Sequence, residues 1–168
     1  MTKHISFRHA NLADLLLLQH WDRQAHVIAC DPDDDWEWEK ELPMQVSWRE
    51  QLVAELNGEP IGFVQIIDPH EEETHYWGEV APNLRAIDIW IGEAHHLNKG
   101  YGTQMMQLAI ERCFAPSEVT KILIDPLASN VKAHRFYERL GFAFVEERSF
   151  EGTACFVYEL LKRDWLSK

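Results

Sequence analysis

Apolar and polar residues alternate in "ISFRHA", residues 5–10, and this two-residue period predicts a short opening strand. Asn11, a residue type that caps helix starts, precedes the helical run "LADLLLLQHW". Residues 26–45 hold neither period; heavy in acid and tryptophan, they predict irregular chain or broken helix. Two apolar-rich runs, "EQLVAEL" and "PIGFVQIID", are separated by Asn57-Gly58, the strongest short hairpin signal in the chain. A polar loop over 69–83 leads to a further strand, "LRAIDIWIG". The pattern then changes to a helix from about Gly100 to Phe114, with Met105, Leu108, Ala109 and Cys113 on one face and Met106 and Ile110 beside it. "TKILIDP" is a buried strand, "SNVKAHRFYERLGF" a capped helix ended by Gly141, and "FAFVEERSF" with "TACFVYELL" a closing antiparallel pair. This order predicts an α/β protein with a mixed sheet, whose antiparallel first half meets a helix-connected second half. No repeat or linker interrupts residues 1–168, so a single domain is expected.

Composition narrows the function. With 168 residues and a 46% hydrophobic fraction, the chain can bury a core. No apolar run is long enough to cross a bilayer, and the first residues lack the basic flank and small-residue cleavage site of a signal peptide. Cys30, Cys113 and Cys155 are odd in number and irregularly spaced, which favours a reducing, cytoplasmic setting and offers no metal-ligand spacing. His95 and His96 have no third ligand nearby in sequence, so no metal is expected. A net charge of -12 argues against nucleic acid as partner. Eleven of the 28 acidic residues lie in "DPDDDWEWEKE" and "HEEETHYWGE", beside Trp36, Trp38, Trp48 and Trp77. These runs are either solvated loops or the rim of a site for a polycation, since aromatic faces beside carboxylates suit ammonium groups.

Gly100 and Gly102, one residue apart at a helix start, raise a chemical question. Glycine costs backbone entropy, and bare amides at a helix N-terminus suit a phosphate. A glycine-rich cap explains the loop equally well when it is read alone. The two motifs together carry a resemblance: "LNKGYGT" resembles the pyrophosphate loop of the GCN5-related N-acetyltransferases, and "DPLASNVKAHRFYERLGF" their next motif. The set "NGEPIGF", "AIDIWIG", "KGYGT", "VTKILIDPLASN" and "FYERLGF" is similar to the aminoglycoside 6'-N-acetyltransferases of the integron-type branch, over about residues 57–142. The family's loop begins with Gln or Arg three residues before the first glycine, where this chain has Leu97.

The resemblance implies a central, mostly antiparallel sheet with a parallel, splayed strand pair, flanked by helices. It implies acetyl-CoA as cosubstrate without a metal, a polycationic aminoglycoside as acceptor, and a monomer or homodimer. Lys99, Gly100, Tyr101, Gly102 and Thr103 would meet the pyrophosphate, the backbone around Trp90 and Ile91 the thioester or pantetheine, and Asn130 the pantetheine arm. Asn130 also suits a helix cap, as does Ser129. Tyr137 is the candidate acid for the departing thiolate, or else a half-buried core aromatic. Asp88 interrupts an apolar strand and must find a partner or a polar cleft; it is the candidate to hold the amine and accept its proton. Asp125 ends a strand before Pro126, as an acceptor-binding carboxylate or a turn initiator. Gln65 and Trp77 match substrate-side positions, with an exposed-face glutamine and a packing tryptophan as alternatives. Cys113 lies on the apolar helix face, so direct attack in a ternary complex is favoured over an acyl-enzyme.

The chain departs from the family upstream. The related enzymes carry Glu-Trp-Trp after "His-Ile-Val", whereas Ala29, Cys30 and Asp31 stand in those places here. Either Trp36 and Trp38 replace the missing aromatics, or the acceptor differs: a siderophore precursor, a polyamine or a protein N-terminus. A non-catalytic acyl-CoA-binding sensor is the remaining alternative.

Overall fold

The structure, a computed structural model, describes residues 4–168. Seven strands run β1 (Ile5–His9), β2 (Arg49–Leu56), β3 (Glu59–Ile67), β4 (Leu84–Ile91), β5 (Lys121–Ile124), β6 (Ala143–Phe150) and β7 (Thr153–Leu161). They form one mixed sheet in the order β1-β2-β3-β4-β5-β7-β6. The helices are α1 (Leu15–Asp22), α2 (Ala25–Cys30), α3 (Trp38–Glu41), α4 (Tyr101–Phe114), α5 (Val131–Arg139) and α6 (Lys162–Leu166). Sequence periodicity did not mark α6. Contacts divide the chain into two compact units, Met1–Gln65 with Ile89–Leu108, and Ile66–Asp88 with Ala109–Lys168.

In the first unit β1 pairs antiparallel with β2, Ile5 opposite Leu56 and His9 opposite Leu52. Asn11 starts the next helical segment through a capping box, its side chain accepting from the Ala13 amide while Asp14 accepts from the Asn11 amide. Asp14 is buried because it also takes two bonds from Arg8, at 2.8 and 2.9 Å. The hairpin turn has φ 51° at Asn57 and φ 89° at Gly58, the left-handed pair that a two-residue hairpin requires. Leu18, Trp21, Trp38, Leu42 and Phe63 make the core. The acidic segment between α1 and β2 is broken helix, as its missing period predicts.

In the second unit β4 and β5 are parallel, with Leu84 opposite Lys121 and Ala86 opposite Leu123. The connection between them contains α4, because parallel strands need a long crossover. β5 is antiparallel to β7, and β7 to β6. Helix α5 ends where Gly141 takes φ 104°, the left-handed stop that glycine supplies cheaply.

Candidate active site

The second unit brings two of the sequence-derived carboxylates to one level. Pairing of β4 with β5 ends at Ala86 and Leu123, although β4 continues to Ile91. Asp88 and Asp125 each lie two residues past that last pair, at matching positions where the ladder has ended. Both are half-buried. The phenol of Tyr76 donates to Asp125 Oδ2 at 2.6 Å. Burial, then the charge of Asp125 and this bond, with a smaller contribution from Asp88, push the Tyr76 phenol well above its ordinary pKa. Tyr76 therefore stays a neutral donor beside two carboxylates.

The loop that delivers Tyr76 is organised by a buried carboxylate. Glu72 accepts from the Thr74 amide, from Thr74 Oγ1 and from the Tyr76 amide at 3.2 Å. Burial alone would raise its pKa, yet these donors outweigh that and hold it below the usual carboxylate range. The Tyr76 ring stacks on Phe150, with centroids 4.7 Å apart and planes 11° apart. Trp77, which the sequence offers as a substrate-side or a packing residue, is 3% exposed and meets Phe150 edge-on at 5.2 Å. Its carbonyl accepts from Arg148 at 3.0 Å, so in this structure Trp77 packs, and its neighbour Tyr76 reaches Asp125. Only the polar loop between two strands hinted at Tyr76 in the sequence.

Helix α5 carries the other candidates of this unit. The Asn130 side-chain oxygen accepts from the Ala133 amide at 3.2 Å, so Asn130, rather than Ser129, is the helix cap. The amide nitrogen of Asn130 and the second lone pair of its side-chain oxygen are not used by this cap. Buried His134 holds the preceding loop through the Leu127 carbonyl, at 2.9 Å. Tyr137 is half-buried, its ring 5.2 Å from Phe136 and 5.8 Å from Phe142.

The first unit holds the glycine loop and the end of β4. Asn98 and Gly100 take φ 60° and 82°, and the Gly100 carbonyl accepts from the Gln104 amide at 3.2 Å, opening α4. A Cβ built on Gly100 would meet no protein atom within 4 Å. The start of a fourteen-residue helix thus has open space beside it, which fits a phosphate group. Lys99 is exposed, Thr103 is half-buried, and Tyr101 is buried against His96, with centroids 5.9 Å apart. Among the described residues no group of three His, Cys, Asp or Glu side chains is arranged to hold a metal ion.

Trp90 stacks on Phe63 at 4.6 Å and meets Trp36 edge-on at 5.1 Å. Trp36 and Trp38 stack on each other at 5.2 Å. Trp38 is a core residue, 4% exposed, whose indole N–H donates to Asp22 at 2.6 Å. Of the two tryptophans weighed as replacement aromatics, only Trp36 therefore keeps an accessible face. Gln65 accepts from Gln51 at 3.2 Å across the hairpin. The acidic rim is smaller than composition implies, because Glu72 is turned inward and Glu41 pairs with Arg49 at 2.9 Å.

Residues 11–150 match the family described as an acetyltransferase (GNAT) domain. The chain is 34% identical over 143 residues to an aminoglycoside N(6')-acetyltransferase type 1 of Klebsiella pneumoniae, covering 77% of this chain and 69% of the relative. It is 42% identical over 72 residues to a kanamycin resistance protein of Rhizobium radiobacter, covering 42% of this chain and 67% of that one. Among solved structures, the aminoglycoside acetyltransferase AAC(6')-Ib in complex with coenzyme A and kanamycin superposes with a TM-score of 0.88 at 26% identity, over 98% of this chain and 99% of the other. The mixed sheet with its parallel pair, the open glycine loop and these similarities agree: the chain belongs to the acetyltransferase (GNAT) domain family.

Proposed function

We propose that the protein transfers the acetyl group of acetyl-CoA to the 6'-amine of an aminoglycoside. The observation that carries this reading is the carboxylate pair Asp88 and Asp125 beyond the last paired residues of β4 and β5, with Tyr76 bonded to Asp125. Such a pair suits an acceptor rich in ammonium groups, because a carboxylate both attracts the cation and can take its proton. The likeness to a named aminoglycoside N(6')-acetyltransferase supports the same acceptor.

In this reading the amides and dipole at the start of α4, around Lys99 to Thr103, hold the pyrophosphate. Backbone amides near Trp90 and Ile91 polarise the thioester carbonyl. Asp125 anchors an ammonium group of the acceptor, and Asp88 takes the proton from the reacting amine. The neutral amine forms the new C–N bond, the C–S bond breaks, and Tyr137 supplies a proton to the departing thiolate. Gln65 borders the acceptor. Residues 1–168 act as one acetyltransferase domain, and three cysteines outside any disulfide accord with a cytoplasmic setting.

The test is thiol release from acetyl-CoA with kanamycin and with a derivative lacking the 6'-amine. Turnover of the first alone supports the reading. Turnover of polyamines or hydroxylamines with none of any 6'-amino aminoglycoside would move the acceptor to another amine class.

A further inference from the structure

We infer that His26 is a positioning residue for the transfer, holding the peptide between Ile91 and Gly92 so that the end of β4 keeps one backbone orientation. The inference rests on the proposed use of the Trp90 and Ile91 amides. His26 lies on α2, and its Nε2 is 2.7 Å from the Ile91 carbonyl oxygen. A carbonyl can only accept, so the ring nitrogen donates, which sets the proton on Nε2. At the other end of the same peptide, the Gly92 amide donates to the Ile61 carbonyl at 2.9 Å. Both polar atoms of one peptide are thus held by different elements, a helix side chain and a strand.

The flanking atoms are held as tightly. Trp21 is fully buried, and a Cβ on Gly92 would lie 2.0 Å from its ring. A Cβ on Gly62 would lie 2.6 Å from the Trp90 carbonyl oxygen. Only glycine fits at either place, so β3 and α1 both pack closely against residues 90–92. His26 supplies a side-chain hydrogen bond to the Ile91 carbonyl. Donors that stabilise a developing charge act because their orientation is set before the reaction. Without His26 the Ile91–Gly92 peptide keeps one tether and can tilt, turning the neighbouring Ile91 amide with it.

The experiment compares His26→Leu, which removes the donor, with His26→Gln, whose amide N–H can reach the same carbonyl. His26→Leu is expected to lower kcat about tenfold, with CoA affinity by calorimetry changed less than about twofold. Hydrogen exchange at the Gly92 amide in ligand-free protein is expected to quicken about tenfold in His26→Leu. His26→Gln is expected to regain most of both losses. Should His26→Leu not fold, His26→Asn, too short to reach, replaces it in the comparison with His26→Gln. A folded His26→Leu protein with wild-type kcat, or a His26→Gln protein as slow as His26→Leu, overturns the inference. A wild type that binds no CoA overturns the proposed function and this inference together, whereas normal CoA binding with unaffected variants overturns His26 alone.

Discussion

The Tyr76 phenol donates to Asp125 Oδ2 at 2.6 Å, linking a loop ordered by buried Glu72 to the end of a parallel strand. Tyr76→Phe keeps the stack on Phe150 and deletes the donor. Loss of about 1.4 kcal/mol from a hydrogen bond to a charged group corresponds to roughly a tenfold change in binding. The KM for kanamycin is expected to rise about tenfold by that measure, with CoA affinity unchanged. An unaltered kanamycin KM would mean that Asp125 does not need this partner.

Gly100 separates strain from ligand access. A Cβ there meets no protein atom within 4 Å, but valine cannot adopt φ 82° without cost, so Gly100→Val combines two effects. Gly100→Asn tolerates the left-handed conformation, which Asn98 already adopts beside it. Both variants are expected to weaken CoA binding at least about tenfold in calorimetry, with Gly100→Asn keeping the wild-type Tm. Unchanged CoA affinity in folded Gly100→Asn would remove this loop from the phosphate site.

Tyr137→Phe removes one hydroxyl and keeps the ring contacts with Phe136 and Phe142. Loss of a general acid is expected to lower kcat on the order of 10²-fold, with acetyl-CoA binding nearly unchanged. A wild-type kcat would make this tyrosine a packing residue.

Salt distinguishes the exposed carboxylates from the half-buried pair. Asp33, Asp34 and Asp35 are exposed, and attraction beyond about 8–10 Å is largely screened at physiological ionic strength. Neutralising these three is expected to flatten the fall of kcat/KM for tobramycin with rising salt. Asp125→Asn is expected to lower kcat/KM even at low salt. Equal salt dependence in all three proteins would remove the acidic segment from acceptor capture.

Alkaline pH should loosen the second unit through Tyr158. Burial and a hydrogen bond to Glu138 at 2.9 Å raise its phenol from 10.0 to about 12. An unfolded chain releases that proton near pH 10, while the folded one keeps it, so stability falls as pH rises between about 10 and 12. Urea midpoints at pH 9 and pH 11 measure the loss, and Tyr158→Phe is expected to make it smaller.

Local patterns determined much of this protein. The Asn57-Gly58 turn, the Asn11 cap, the alternation in "ISFRHA" and the helical face of Met105, Ala109 and Cys113 are short-range effects of dihedral preference and side-chain period. The paired motifs around Gly100 and Tyr137 likewise carry the likeness to the acetyltransferase family in the sequence alone. Only tertiary structure decided which residues touch across long separations. Tyr76 meets Asp125 from 49 residues away, and His26 meets Ile91 from 65. It also turned Trp77, Trp38 and Glu72 inward, although their neighbours are polar and acidic. Composition cannot foresee this, because a buried carboxylate or indole is tolerated only where the fold supplies donors or a partner, and those partners are set by packing rather than by sequence proximity.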